Sequence, residues 1–474
     1  MSGLAELEGK RVLILGFGRE GQATLRFLRE RLGSFEPGVA DRRTLDRMSA
    51  DEQTLLADIA PERVALGPDY LDAVADADVV IRAPGLPPDS PPLEAARQRG
   101  ALVTSLVNLF FDVAPGRIVG VTGTKGKSTT TNAIYTVLRD AGFDARLGGN
   151  IGIPLLSCLE GADAQTVFVV ELSSFQLSDL TRSPHVAVLQ NVVREHVDYH
   201  GTFEKYVDAK GNLVRHQGAD DIVVYNAGFE IPTTLASQSA ARKIPFGLDP
   251  APNRACFVED GWLVAAQNGQ AERVIAAADV PLPGAHNLFN VMPAIVVGRL
   301  FGIDAARIAT SIRTLSALPH RMQLIHEWQG RQFFNDSLST VPEAAMAAIA
   351  ALHDRPTVLI AGGHDRGQEW TTFADAILGA NLRAIVLLPE TGPSMLAAIH
   401  ERAAAHPDAK LPHIVSAPNL LDAVRCAIDA SVPGTAILLS PAAASFGEFR
   451  NYEDRGNQFR EAAIALTRTG SSPD

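Results

Sequence analysis

The sequence predicts an α/β protein of three domains: a Rossmann-like N-terminal domain, a central α/β domain of the P-loop ATPase type and a Rossmann-like C-terminal domain. The chain has 474 residues, too many for one ordinary core, which suggests domains of about 150 residues. Residues 11–21 and 117–131 each show a strand, a glycine turn and a helix start. Residues 357–366, 384–388 and 435–440 add strands of a third α/β unit. The predicted domains are 1–112, 113–318 and 319–474.

Composition and charge indicate a globular chain that does not bind nucleic acid. It is 46% hydrophobic and 20% charged, with no apolar run long enough to span a bilayer. Because residues 1–10 contain no apolar signal core, we expect a cytoplasmic protein. A net charge of -12 argues against nucleic-acid binding. The cysteines Cys158, Cys256 and Cys426 are far apart and odd in number, which favours buried thiols over disulfides or a zinc site.

The first glycine turn matches G-x-G-x-x-G at Gly16, Gly18 and Gly21. An acidic residue, Asp41, follows about 20 positions later, as in dinucleotide-binding folds. By itself this short motif is compatible with an NAD-dependent dehydrogenase, so that alternative stays open here. A further strand pattern ends in a Pro-Gly turn at Gly85, where sheets of this class bind ligands.

The second glycine turn, within residues 117–131, predicts an anion site. Unpaired N–H groups and the helix dipole of such a turn point at one spot. Lys127 can supply charge for the β- and γ-phosphates, and the Ser128 hydroxyl can reach Mg²⁺. The spacing departs from the general phosphate loop, which has glycine at the position of Val121. The alternative is a glycine turn with two surface lysines.

Polar residues follow the next two predicted strands. Glu171 ends the strand at 166–172 and is either a solvated edge charge or a ligand for phosphate-bound Mg²⁺; the phosphate loop favours the metal. His196 follows the strand at 186–192, where a lone histidine is more often structural; Glu171 and Ser128 raise the case for a metal ligand. Lys210 lies in a predicted helix and, from composition alone, is a surface lysine.

The whole chain resembles the Mur ligases, the ATP-dependent amide ligases of peptidoglycan synthesis, and within them the glutamate-adding branch. The motifs that carry the resemblance are T-G-T-K-G-K-S-T (122–129), G-G-N-I-G (148–152), E-L-S-S-F-Q-L (171–177), N-V-V-R-E-H (191–196), Y-V-D-A-K (206–210), G-A-H-N-L-F-N (284–290), L-P-H-R (318–321), F-N-D-S (334–337) and L-S-P-A-A-A-S (439–445). The resemblance implies that ATP phosphorylates the carboxylate of a UDP-MurNAc-peptide and that an amino acid attacks the acyl phosphate. The first domain would then bind UDP rather than NAD.

The resemblance also implies a role for individual residues. The implied catalytic and metal residues are Lys127, Ser128, Glu171, His196 and Lys210, with two Mg²⁺ ions and Lys210 carbamylated. The implied nucleotide site comprises Gly123, Thr124, Lys125, Gly126, Lys127, Ser128, Thr129, Asn287, Asn290, Arg321 and Asp336. The implied substrate contacts are Gly16, Gly18, Asp41, Arg43, Gly85, Asn150, Ser173, Thr340, Arg366, Ser445 and Tyr452. The expected partners are small molecules only, UDP-MurNAc-L-Ala, glutamate and ATP, with no membrane, and the expected state is a monomer.

The departures from the family pattern fall in the implied amino-acid pocket. Leu338 stands where the D-glutamate enzymes have lysine in N-D-S-K-A-T, Arg366 replaces a second lysine, and Tyr452 replaces a phenylalanine. Because lysine and arginine hold carboxylates differently, we expect L-glutamate as the substrate, with D-glutamate as the alternative. Two more distant alternatives are the dehydrogenase and a non-catalytic UDP-sugar or ATP sensor, against which the intact Lys127, Glu171 and His196 argue.

Overall fold

The structure is a computed structural model that describes residues 2–267, 269–282, 284, 286–316, 319–406, 410–445 and 447–468. The chain divides into two compact units. The first comprises Met1–Val280 with Leu288–Thr314, and the second comprises Pro281–Asn287 with Leu315–Asp474. The first unit contains two sheets and the second contains one. The boundary predicted at residue 318 lies outside the described residues.

The first sheet is a five-stranded parallel sheet in the order β3-β2-β1-β4-β5. Its strands are β1 (Arg11–Leu15), β2 (Glu36–Asp41), β3 (Val64–Leu66), β4 (Val79–Arg82) and β5 (Leu102–Ser105). The helices of this region are α1 (Ser2–Ala5), α2 (Arg19–Arg31), α3 (Ala50–Ala57), α4 (Pro91–Gln98) and α5 (Leu106–Val113). From β1 the chain continues to β2 and β3 on one side of the sheet and then crosses to β4 and β5 on the other side. Doubly wound sheets bind ligands in the crevice at such a crossover, which here lies between β1 and β4.

The second sheet has nine strands in the order β14-β13-β12-β11-β10-β9-β6-β8-β7. Its strands are β6 (Arg117–Thr122), β7 (Ala145–Gly149), β8 (Val167–Glu171), β9 (Val186–Leu189), β10 (Ile222–Asn226), β11 (Arg242–Phe246), β12 (Cys256–Glu259), β13 (Trp262–Gln267) and β14 (Gln270–Ala276). The helices are α6 (Lys127–Asp140), α7 (Ser174–Leu177), α8 (Val197–His200), α9 (Phe203–Arg215), α10 (Glu230–Ser237), α11 (His286–Leu300) and α12 (Ala305–Arg313). The β12–β13 and β13–β14 pairs are antiparallel and the others are parallel.

The third sheet has six strands in the order β15-β16-β20-β17-β18-β19. Its strands are β15 (Gln323–Trp328), β16 (Arg331–Asn335), β17 (Thr357–Gly363), β18 (Leu382–Glu390), β19 (His413–Ser416) and β20 (Ala436–Leu439). The helices are α13 (Pro342–Ala351), α14 (Thr371–Gly379), α15 (Gly392–Ala405), α16 (Leu420–Asp429) and α17 (Tyr452–Arg468). Only the β15–β16 hairpin is antiparallel among these strand pairs.

Apolar strands explain how the two sheets of the first unit are held together. The residues of β8 and β9 are buried throughout, as expected for parallel strands covered by helices on both faces. One hydrophobic core contains residues from both sheets of this unit, and in it the Phe110 ring lies edge-to-face 5.3 Å from the Phe168 ring. The carboxyl ends of β4, β6 and β8 therefore stay fixed in one body.

Candidate active site

The turn between β6 and α6 has the geometry of a phosphate cradle. Gly126 adopts a left-handed φ of 80° and caps α6, whose first residue is Lys127. A side chain at Gly126 would place its Cβ 2.1 Å from Asn290 Oδ1, so this position requires glycine for space as well as for φ. The Lys127 ammonium donates to Thr124 O at 2.8 Å. A helix N-terminus with a lysine folded over its loop is suited to bind a polyphosphate.

Glu171 ends β8 directly beside this loop. It pairs with Val121 of β6 across the sheet, and its side chain is only 1% exposed. Asn150 Nδ2 donates to Glu171 Oε1 at 2.7 Å, whereas Oε2 has no hydrogen-bond partner in the described part of the chain. Buried polar atoms of proteins are normally satisfied, so an orphaned carboxylate oxygen at a phosphate loop marks a place for a cation.

Lys210 is buried beneath the same loop, so the expectation of a surface lysine is wrong. It is 1% exposed, and Nζ donates to Gly123 O at 2.8 Å and to Thr122 Oγ1 at 3.4 Å. The Tyr206 ring lies 4.6 Å from Nζ. Burial, and then the charge of Lys127, lower the pKa of Lys210 well below its ordinary value, against the opposing effect of Glu195 and Glu171.

His196 lies in a strained turn at the start of α8. Its φ of 53° is left-handed, and its ring centroid lies 4.8 Å from that of Phe175 and 6.1 Å from that of Tyr206. Its neighbour Glu195 binds Lys125 at 2.8 Å. Burial raises the pKa of Glu195, but the charge and hydrogen bond of Lys125, with the charges of His196 and Lys127, together outweigh that effect and lower it. The Tyr206 ring therefore lies near both His196 and Lys210, on the same side of the loop. No role for Tyr206 was predicted from the sequence.

The remaining residues of this loop and its surroundings are placed as follows. Ser128 and Thr124 are buried, and Thr124 Oγ1 lies 2.8 Å from the Tyr206 hydroxyl. Ser173 caps α7, because its hydroxyl oxygen accepts a hydrogen bond from Gln176 N at 3.3 Å. Part of the hydrogen-bonding capacity of the hydroxyl that was predicted to contact substrate is therefore used within the helix cap. Among the described residues, no group of three or more His, Cys, Asp or Glu side chains could hold a metal ion by itself. Any metal here therefore depends on mixed ligands such as hydroxyls and phosphates.

The first glycine turn is built by close packing. A Cβ at Gly16 would lie 2.6 Å from Ala83 Cβ, and one at Gly21 would lie 2.1 Å from Gly16 O. Asp41 is buried behind this turn and accepts from Phe17 N at 2.7 Å and from Arg43 N at 2.8 Å. Burial raises the pKa of Asp41, but the hydrogen bonds from Arg43 and Phe17 outweigh it and lower the pKa. Gly18 and Gly85 leave open space around their Cα atoms.

Asp336, Arg321 and Asn287 belong to the second unit, whereas Asn290 belongs to the first. Asp336 is 3% exposed and accepts from Met322 N at 3.0 Å, Ser339 Oγ at 2.5 Å and Ser440 Oγ at 2.7 Å. Burial raises the pKa of Asp336 to about 6, against these hydrogen bonds and the charge of Arg321. Because the four residues are divided between the two units, a nucleotide site formed by all of them stays a prediction.

The predicted amino-acid residues of the second unit cluster around a buried cation that the sequence did not single out. Arg455 has no exposed surface; Nε donates to Ser337 Oγ at 3.0 Å and the terminal nitrogens donate to Ser337 O at 2.9 Å and Ala444 O at 3.1 Å. Ser337 Oγ in turn donates to Tyr452 O at 2.7 Å. Arg455 therefore holds together the turn that carries Leu338 and the segment that carries Ser445.

The other members of that predicted pocket are more accessible. Leu338 and Thr340 are half-buried in the turn after β16, and Leu338 N donates to His320 O at 3.0 Å. Arg366 is exposed, and its backbone N donates to Gln368 Oε1 at 2.8 Å. Its turn approaches Ser445 through the bond from His364 N to Ala444 O at 2.8 Å. The structure thus gathers these residues at the carboxyl ends of β16, β17 and β20.

Three family models match consecutive parts of the chain. They are the Mur ligase MurD-like, N-terminal domain over residues 10–105, the Mur ligase middle domain over residues 121–298, and the Mur ligase, glutamate ligase domain over residues 320–443. The first glycine turn lies within the first match and the phosphate loop within the second. Together these matches span well over half of the chain.

Relatives that carry one common name match the chain over nearly its full length. The chain is 34% identical over 460 residues to UDP-N-acetylmuramoylalanine–D-glutamate ligase of Symbiobacterium thermophilum, which covers 97% of this chain and 98% of that protein. It is 33% identical over 462 residues to the protein of the same name from Streptococcus mutans, with coverage of 97% and 98%.

Solved structures support the fold. UDP-N-acetylmuramate-alanine ligase from Thermotoga maritima superposes with a TM-score of 0.60 at 17% identity, covering 96% of this chain and 100% of that one. The MurF ligase from the same organism, solved in complex with ADP, gives 0.58 at 16% identity, covering 98% and 97%. These likenesses and the three sheets confirm the predicted α/β fold class. Among the described helices, none is both long and apolar enough to cross a membrane.

Proposed function

The chain belongs to the Mur ligase family of ATP-dependent amide ligases, and from this premise we propose that it joins glutamate to UDP-N-acetylmuramoyl-L-alanine in peptidoglycan synthesis. The observation that carries the proposal is the buried Glu171 with its orphaned oxygen beside the Lys127 loop. The glycine loop and Lys127 would bind the β- and γ-phosphates of ATP. Transfer of the γ-phosphoryl group to the substrate carboxylate gives an acyl phosphate, whose phosphate leaves when the amine of glutamate attacks.

Residues near the loop fit a magnesium ion. Glu171 Oε2 is buried and unpaired within the described chain, and the Ser128 hydroxyl is buried at the start of α6. Carboxylate, hydroxyl and phosphate oxygens are the ligands that Mg²⁺ prefers. Ser128 and Glu171 would hold one Mg²⁺ and His196 would hold a second, and such ions would neutralise charge on the phosphate oxygens.

Lys210 is suited to carbamylation. Its lowered pKa favours the neutral amine, which is the form that attacks CO₂; the nitrogen bonds to carbon, a proton leaves, and a carbamate results. The product is anionic, so it would add a carboxylate-like group beneath the phosphate loop. Wild-type protein equilibrated with carbon-13 bicarbonate should show a carbamate resonance, and Lys210→Met should lack it.

The names of the relatives favour D-glutamate over the L-glutamate that we expected, so D-glutamate is the enantiomer we propose first. One observation keeps L-glutamate as a second candidate. Leu338, in the half-buried turn after β16, puts an apolar side chain where the D-glutamate pattern has lysine. Losing that cation would shift the carboxylate that it holds. If Leu338 determines which enantiomer is used, Leu338→Lys should change the ratio of activity with D-glutamate to activity with L-glutamate. An unchanged ratio would show that this position does not determine the enantiomer.

The proposal is tested by measuring ADP and amide formation with each component omitted in turn and with each glutamate enantiomer. We expect multiple-turnover ADP release only with UDP-MurNAc-L-Ala, glutamate and Mg²⁺ together. Multiple-turnover release without the UDP-sugar peptide, or without glutamate, would contradict the ligase activity. A preference for the L form would leave the ligase standing and select the second candidate.

The predicted domain boundaries belong to the same proposal. Their support is that each family match falls within one predicted domain and contains one main sheet. A cytoplasmic location, a monomeric state and small-molecule partners only are likewise proposed. The nucleotide is proposed to contact Asn287, Asn290, Arg321 and Asp336, and the UDP group to contact the Gly16–Gly18 turn, Asp41 and Arg43.

A further inference from the structure

A buried ion pair joins the first and second sheets within the first unit. Arg82 ends β4 and has no exposed surface; its Nε and terminal nitrogen bind Asp179 at 3.1 and 2.6 Å. Asp179 lies just beyond α7, and its side chain is 16% exposed. A bidentate pair of this kind is geometrically specific, because the guanidinium is planar and its donors are fixed in one plane.

The same guanidinium also holds the Pro-Gly turn that follows β4. Its other terminal nitrogen donates to Ala83 O at 3.1 Å, Pro84 O at 3.3 Å and Leu86 O at 2.6 Å. Arg82 pairs in the sheet with Leu15, the residue immediately before the first glycine turn. The turn at 83–86 is therefore fixed against the Gly16 loop from one side and against Asp179 from the other.

A second set of contacts extends from this turn to the histidine segment. The Tyr199 hydroxyl donates to Pro84 O at 2.9 Å and lies 3.2 Å from Leu86 O. The Phe175 ring lies 4.3 Å from that of Tyr199 and 4.8 Å from that of His196, and Phe175 O accepts from Arg82 at 3.4 Å. The chain of contacts from the Gly16 loop to His196 is thus continuous.

From these contacts we infer that Arg82, with Asp179, is a positioning residue that couples occupancy of the Pro84–Gly85 turn by the UDP substrate to the placement of His196. The inference rests on the proposed function and on the implied contact of Gly85 with the UDP substrate, and it takes His196 as the residue that would hold a magnesium ion. Neither Arg82 nor Asp179 touches the reacting groups in this account. Coupling between two binding sites is reciprocal, so Mg²⁺ should tighten binding of the UDP substrate through the same residues.

The test is a set of calorimetric titrations with UDP-MurNAc-L-Ala at limiting and at saturating Mg²⁺, in the presence of a non-hydrolysable ATP analogue. For wild type we expect the Kd to fall about fivefold or more at saturating Mg²⁺. Asp179→Asn keeps the shape of the side chain but removes its charge, and its Kd should not respond to Mg²⁺. Tyr199→Phe leaves the ion pair intact and should retain a reduced response, so it gives a readout even if Asp179→Asn folds poorly.

The matched control is Asp78→Asn. Asp78 forms a similar bidentate pair with Arg11, at 3.1 and 2.8 Å, but at the amino ends of the strands of the same sheet and on an exposed surface. Its Mg²⁺ response should equal that of wild type. If folded Asp179→Asn shows the same change of Kd with Mg²⁺ as wild type, the inference is overturned. It is also overturned if wild type binds the UDP substrate with a Kd that does not depend on Mg²⁺. Both results leave the proposed function standing. No UDP-substrate binding by wild type would overturn the proposed function and the inference with it.

Discussion

The first unit contains two turns built on the same strand–glycine–helix plan, and their chemistry differs. In the turn after β1, the acidic side chain nearby, Asp41, accepts hydrogen bonds on both oxygens and has a lowered pKa. In the turn after β6, Glu171 has one buried oxygen without a partner among the described residues, and Lys210 has a pKa well below the ordinary value. The first turn is only partly satisfied, because Glu20 Oε2 also has no hydrogen-bond partner among the described residues and burial raises the pKa of Glu20 to about 7. The second turn differs in that its unpaired carboxylate oxygen lies in a site with two lysines, Lys127 and Lys210.

The two lysines, rather than an unpaired oxygen alone, indicate that the second turn carries the chemistry. A satisfied ion pair stabilises a turn and fixes its shape, which suits a site that only binds. Unpaired or neutralised buried groups cost folding free energy and persist where ligands complete them. A glycine pattern alone does not distinguish these cases, because both turns place the same backbone N–H groups at a helix start.

Removing the cation of the second turn should have the largest effect. Lys127→Ala should lower kcat for amide formation by about a thousandfold, because charge neutralisation of the transferring phosphoryl group is lost. Steady-state ADP release measures this. The control is Lys205→Ala, an exposed lysine on α9, which should behave as wild type. Near-normal turnover by Lys127→Ala would mean that the two turns do not differ as proposed.

Glu171→Gln tests the orphaned oxygen. It keeps the size of the side chain but removes the charge, so kcat should fall about a hundredfold and the Mg²⁺ concentration for half-maximal rate should rise. Titration of the rate with Mg²⁺ at saturating ATP measures both. A loss of activity with an unchanged Mg²⁺ requirement would argue that Glu171 acts on something other than the metal.

Asp41→Asn makes the corresponding change in the first turn. It should weaken UDP-substrate binding by about tenfold and lower the free energy of unfolding by about 1–3 kcal/mol, through loss of charged hydrogen bonds. Its Mg²⁺ requirement should stay that of wild type. Because folding lowers the pKa of Asp41, its stabilisation is complete above the unfolded value of 3.8 and is lost as pH falls through the lower folded value. Acid unfolding curves should therefore show a smaller pH dependence for Asp41→Asn.

The smallest effect concerns the pH dependence of stability at Lys210. Folding lowers the pKa of this amine, so the unfolded chain binds more protons between the folded value and 10.5, and stability should rise with pH over that interval. The difference in free energy of unfolding between wild type and Lys210→Met should show this rise. Denaturant melts at several alkaline pH values, under CO₂-free conditions, measure it. A difference independent of pH would show that Lys210 is charged in the folded protein.

The elements were predictable from the sequence where apolar runs were short and bounded by glycine. The patterns at residues 117–131 and 166–172 correspond to β6, α6 and β8, because a buried parallel strand is apolar throughout. The burial of Lys210 was not predictable, since α9 is amphipathic and a lysine in it resembles any surface cation. The pair Arg82–Asp179 was equally invisible, because it joins residues 97 positions apart in the chain.

The candidate site shows the same limit. Gly123 to Ser128 and Glu171 follow local patterns and could be predicted as an anion and metal site. Arg455 could not, because its importance depends on the carbonyl groups of two distant segments that converge on it. The substitution at Leu338 was visible, but its consequence for the enantiomer depends on where a carboxylate would lie, which a sequence pattern does not specify.

Phosphoryl activation of the substrate can be measured by following oxygen from its carboxylate. UDP-MurNAc-L-Ala labelled with oxygen-18 in that carboxylate is incubated with the protein, ATP, Mg²⁺ and glutamate, and the inorganic phosphate is analysed by mass spectrometry. If an acyl phosphate forms, one labelled oxygen should appear in phosphate for each amide made, together with ADP. Unlabelled phosphate, or label in AMP, would contradict phosphoryl activation at the Lys127 loop.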